Sequence, residues 1–89
     1  MDERTILKTA IETFGAEMQE IVAIEECAEL MQAISHKHRG REHNIPEEIA
    51  DVLIMCEQLI IINDCRKEVE RIRKKKIKRL FDRVFDKYL

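Results

Sequence analysis

The chain is 89 residues long, 45% hydrophobic and 38% charged, with two glycines, one proline, no tryptophan and a net charge of -2. That length makes residues 1–89 a single domain, and a domain so small buries only about 60–65% of its unfolded surface, so a lone copy is marginal and self-association is expected. No stretch resembles a signal peptide or runs to about 20 apolar residues, and Cys27, Cys56 and Cys65 form no CxxC pair; a soluble cytoplasmic protein with reduced thiols filling its core is expected.

The small net charge hides an asymmetry. Residues 1–63 carry 13 acids and 5 bases, a net of -8, whereas residues 64–89 carry 5 acids and 11 bases, a net of +6. Such a division points to a charged ligand or partner, although solvated helix faces also produce it.

Apolar residues recur at helical rather than strand spacing throughout, and no strand is expected. Ile6, Leu7, Ala10, Ile11 and Phe14 predict a short amphipathic helix over about residues 4–14, broken at Gly15. A second helix follows at once, with a wide apolar stripe of Ile21, Ile24, Cys27, Ala28, Met31 and Ile34. On its other side Glu25, Glu26 and Glu29 interleave with Val22 and Ala33. Lys37, His38 and Arg39 before Gly40 read as its C-terminus, because cations suit that end of the helix dipole and glycine supplies a left-handed cap. Asn44, with Glu47 three residues on and Pro46 between, resembles a capping box and starts a third helix. From Ile49 to Ile62 that helix is apolar almost all round, too apolar for one partner helix to cover, and is expected to be the oligomer interface. Asn63-Asp64 turns the chain into a long basic fourth helix reaching about residue 86, with Val69, Ile72, Ile77, Leu80, Phe81, Val84 and Phe85 as its apolar positions.

Chemistry concentrates in two acidic clusters, Glu25-Glu26-Cys27-Ala28-Glu29 and Glu47-Glu48-Ile49-Ala50-Asp51. Residues three apart on a helix share a face, so Glu26 with Glu29 and Glu48 with Asp51 each present two carboxylates side by side. A single EExxE is ordinarily a solvated face. The second cluster alters that reading, because Glu48 and Asp51 border an apolar arc where solvated charges are not expected. Two carboxylates about 4 Å apart repel by about 4 kcal/mol at an effective dielectric of 20, so four must protonate, spread or share a cation. Hard oxygen donors select Mg²⁺, with Mn²⁺ the alternative. Mg²⁺ is normally shared with substrate phosphates, which makes a polyphosphate the expected substrate.

The segments ETFGAEMQ, IEECAELMQAI and NIPEEIADVLIMCEQL, with the basic last helix, resemble the MazG-type all-α nucleoside triphosphate pyrophosphohydrolases over nearly the whole chain. The resemblance implies a compact four-helix fold and cleavage of a nucleoside triphosphate between its α and β phosphates, to a monophosphate and pyrophosphate, as a nucleotide-pool house-cleaning reaction. The family's EExxE and ExxD pattern is met in full, which implies that Glu26, Glu29, Glu48 and Asp51 hold the metal. Glu25 is the candidate for activating water. Lys76, Arg79 and Arg83 match the family's basic positions on the last helix and are the candidates for binding the departing pyrophosphate. A homodimer or homotetramer follows from the apolar third helix.

Two rivals share these features. A phosphoribosyl-ATP pyrophosphohydrolase would need the same cage, and a non-catalytic helical module would use the basic helix to bind nucleic acid or a partner protein. Nucleic acid is disfavoured because Phe81, Phe85 and Tyr88 are spaced for packing rather than for stacking bases. His36, His38 and His43, at a helix end and in a loop, are read as capping or exposed residues. Met55, Gln58 and Phe14 are candidates for lining a base pocket, with packing the default for Met55 and Phe14.

Overall fold

A computed structural model describes residues 1–86, all of whose regular structure is helical: α1 (Glu3–Phe14), α2 (Ala16–His38), α3 (Ile45–Asn63) and α4 (Arg66–Phe85). Tyr88, grouped above with Phe81 and Phe85, lies outside them. No described helix is long and apolar enough to cross a membrane.

The boundaries follow local chemistry. The Asp2 carboxylate caps α1 by accepting the Thr5 N–H at 2.7 Å, which satisfies one of the free donors of a first turn. Gly15, with φ 91° and ψ 143°, separates α1 from α2 in a region that side chains avoid. At the far end of α2, the Gly40 N–H donates to the Lys37 carbonyl and the Arg41 N–H to the His36 carbonyl, while Gly40 takes φ 70°. This double bond pattern around a left-handed glycine is a Schellman cap. Asp64 turns α3 into α4 with φ 47°.

α2 and α3 form an antiparallel hairpin. Gln19 in the first turns of α2 bonds to Gln58 near the end of α3, whereas Glu29 further along α2 lies against Glu48 at the start of α3. α1 packs on both of these helices, and α4 touches α3 alone. The side of α2 turned to α3 carries buried Gln19, Ala23 and Ala33, with Val22, Glu26 and Leu30 half-buried. Small residues there let the two helix axes approach.

The wide apolar stripe of α2 is therefore not its intramolecular face: Ile24 is 70% and Met31 66% exposed. Periodicity finds an apolar face but does not say which neighbour it serves. One further expectation needs correction for the same reason. Cys27 and Cys56 are exposed and Cys65 half-buried, so the thiols are free but do not fill the core. No described residue of α4 is buried, so none of its bases points into a single-chain interior. Among the described residues the buried apolar ones are Leu7, Ala23, Ala33 and Met55, a small core for a domain of this length.

Candidate metal centre

The carboxylates converge because the two hairpin helices run in opposite directions with equal residue spacing. Glu26 and Glu29 lie one turn apart on α2, and Glu48 and Asp51 one turn apart on α3, so Glu26 comes against Asp51 and Glu29 against Glu48. Glu26, Glu29 and Glu48 each offer an oxygen within 4.8 Å of the others. Glu48 is only 7% exposed, Glu26 and Asp51 are half-buried, and Glu29 is open to solvent.

Two of these oxygens are stranded: Glu26 Oε2 and Glu48 Oε2 are buried and accept no hydrogen bond. Burial first, and then the neighbouring charges of Glu29, Asp51 and Glu48, push the Glu26 carboxyl above the usual range. The Glu48 carboxyl is pushed up likewise, by burial first and then by Glu29, with a hydrogen bond from Asn44 working the other way. None of the charges acting on either group is a cation. Among the described residues the ion pairs are Arg66 with Glu57 at 2.7 Å and Lys78 with Asp82 at 3.1 Å, neither of them in the cluster.

Asn44 departs from the expected capping box. Its side chain makes no bond to the first-turn backbone of α3; instead its Nδ2 donates to Glu47 Oε2 at 3.1 Å and to Glu48 Oε1 at 3.0 Å. The amide thereby holds one Glu48 oxygen, while the other, Oε2, is the buried one without a partner. Orphaned, mutually repelling oxygens on rigid helices are the donor set that a hard divalent cation neutralises, and Mg²⁺ or Mn²⁺ fits them.

The remaining candidates are more dispersed. Glu25 is exposed and outside the group of three converging oxygens. Lys76, Arg79 and Arg83 are exposed on α4, which makes no contact with α2. Within one chain, then, the phosphate-binding candidates and the carboxylates are not brought together. His36, His38 and His43 join no metal-capable group among the described residues. Met55 and Gln58 are buried as α3 packs, whereas Phe14, expected to pack, is 63% exposed. Sequence reasoning passed over Gln19, whose amide is buried against Gln58 at 2.6 Å. Its signal was position: it precedes Glu26 by the same seven residues by which Gln58 follows Asp51.

No curated protein and no solved structure matches the chain. A family model described as the MazG nucleotide pyrophosphohydrolase domain matches residues 14–88, which include both acidic clusters and the basic helix. On that match, the chain belongs to the MazG nucleotide pyrophosphohydrolase family.

Proposed function

We propose that this protein hydrolyses a nucleoside triphosphate between the α and β phosphates, releasing a monophosphate and pyrophosphate, with Mg²⁺ or in its place Mn²⁺ held by Glu26, Glu29, Glu48 and Asp51. The observation that carries this reading is the convergence of three carboxylates with two stranded oxygens and no cation beside them. Family membership supplies the reaction class.

When bound, the cation supplies charge neutralisation at phosphate and a water acidic enough to react at neutral pH. The chain's own residues do the rest. Glu26, Glu29, Glu48 and Asp51 fix the place of reaction on two packed helices, where a carboxylate loses little freedom on binding. Glu25, one residue from this set, accepts the proton as the water oxygen bonds to phosphorus and the bridging α–β bond breaks. Lys76, Arg79 and Arg83 balance the charge that gathers on the departing pyrophosphate. Since α4 does not reach the carboxylates within one chain, a homodimer or homotetramer closed through α3 brings these parts together. The three free thiols accord with work on the cytoplasmic nucleotide pool.

The decisive assay is pyrophosphate release from a panel of ordinary and modified nucleoside triphosphates, with Mg²⁺ and with chelator. Glu26→Gln and Asp51→Asn should each abolish Mg²⁺-dependent release while circular dichroism stays helical. Full activity in both variants removes the site, and silence across the panel removes the function.

A further inference from the structure

The hairpin seam contains one polar contact that the proposed reaction does not use. Gln19 Nε2 donates to Gln58 Oε1 at 2.6 Å, and the two residues are 7% and 4% exposed. The rest of the buried seam between the amides and the acids is apolar, with Ala23 from α2 and Met55 from α3. Apolar contact is non-directional, so such a seam tolerates a slip of one helical turn at small loss. A buried amide does not, because the slip leaves both partners without a hydrogen bond.

Seven residues on from Gln19 stands Glu26, and seven back from Gln58 stands Asp51. Three more steps in the same directions reach Glu29 and Glu48. The amide pair and both carboxylate pairs thus belong to one register, about two turns, or ~10 Å, separating the amides from the first acids. A slip of one turn moves Glu26 off Asp51, toward Ile54 or Met55 in one direction and toward Glu47 or Glu48 in the other, and either way undoes the pairing of Glu26 with Asp51 and of Glu29 with Glu48. The Arg39–Asn44 connection ties the hairpin at the other end of the acids, so the carboxylates lie between two ties.

We propose that Gln19 and Gln58 are positioning residues, a polar key that holds α2 and α3 in the single register where the carboxylates meet, against their mutual repulsion. A lone buried polar pair that fixes helix register at some expense of stability is an established device in helical assemblies. The proposal rests on the metal-site reading above, and its test separates the two.

The test replaces both amides at once, Gln19→Leu with Gln58→Leu, which leaves no stranded polar group. Three quantities are read: thermal unfolding, the affinity for Mn²⁺ alone by calorimetry, and interhelical NOEs between α2 and α3. The double variant is expected to unfold at or above the wild-type temperature while binding Mn²⁺ about 10- to 100-fold more weakly, the range seen when a group supporting metal ligands is lost. It is also expected to show NOEs from more than one register. A purely structural role cannot raise stability and lower affinity together. Wild-type affinity with the wild-type NOE pattern, or an affinity that falls only in step with stability, overturns the proposal. Should the wild type itself bind no Mn²⁺, the metal-site reading fails and the NOEs alone decide: one unchanged register in the double variant overturns the key, and several support it.

Discussion

Glu48 concentrates the electrostatic problem of the site in one side chain. It is buried, one oxygen is held by Asn44 and the other accepts nothing. Its carboxyl and that of Glu26 are both raised from an ordinary value of 4.5. Between that value and the raised one, the folded chain holds protons that the unfolded chain has released, so stability falls as pH rises through this window. Below it both states are protonated and the penalty vanishes. Asp2 acts with the opposite sign but in a separate window, since its cap holds its carboxyl below 3.8. Metal-free protein should therefore lose stability from about pH 4.5 toward neutrality in unfolding experiments with chelator. Glu48→Gln should flatten that profile and raise the metal-free stability at pH 7. Mg²⁺ should restore the wild type, by about 2.7 kcal/mol at a hundredfold excess over its dissociation constant. A wild-type profile that climbs toward neutral pH in chelator contradicts this account.

Among the elements, the helix ends follow from single residues whose backbone demands are met. Gly15 and Gly40 are the clearest, and a side chain at either would meet nothing within 4 Å, so replacing them tests conformation alone. Gly15→Ala should cost about 1–3 kcal/mol, because φ 91° with ψ 143° lies near a region that essentially only glycine enters. Gly40→Ala, at φ 70° in the left-handed basin, should cost about 1–2 kcal/mol, and Gly40→Asn less; urea denaturation measures both. The same residues explain why four helices were legible in the sequence to within a residue or two: Gly15, Gly40, Pro46 and Asn63-Asp64 act locally. The two carboxylate pairs, Glu26 with Glu29 and Glu48 with Asp51, were legible too, since a spacing of three on each helix is itself local. What was not legible is pairing. α2 is apolar on two sides, and only contact with α3 selects the alanine side. The Asn44 side chain had two carboxylates within reach as well as the backbone, and it took the carboxylates. Gln19 looks like any exposed glutamine until its partner 39 residues away is known.

As a single copy the molecule is open for its size. Its accessible surface is 7461 Å², whereas a compact monomer of 10.6 kDa exposes about 5,500 Å². Its radius of gyration is 16.5 Å, against about 12 Å for a compact chain of this length. An excess of about 2,000 Å² per copy matches what each partner contributes to a large obligate interface. The excess is apolar where it matters: Ile24 and Met31 on α2, Leu53 on α3 and Leu80 on α4 are all at least half exposed. An acidic body and a basic α4 would add electrostatic attraction to any association of copies. The chain in solution should therefore have at least twice the mass of one copy by light scattering, and its melting temperature should rise with protein concentration. If the exposed Met31 and Leu53 are covered by a second copy, Met31→Glu with Leu53→Glu should bring the mass down to one chain, remove the concentration dependence and lower the melting temperature. On a true monomer the same changes are surface substitutions, within about 0.5 kcal/mol each. A wild type of one-chain mass whose melting temperature the double variant leaves untouched would show that the open α2 and α3 faces need no partner.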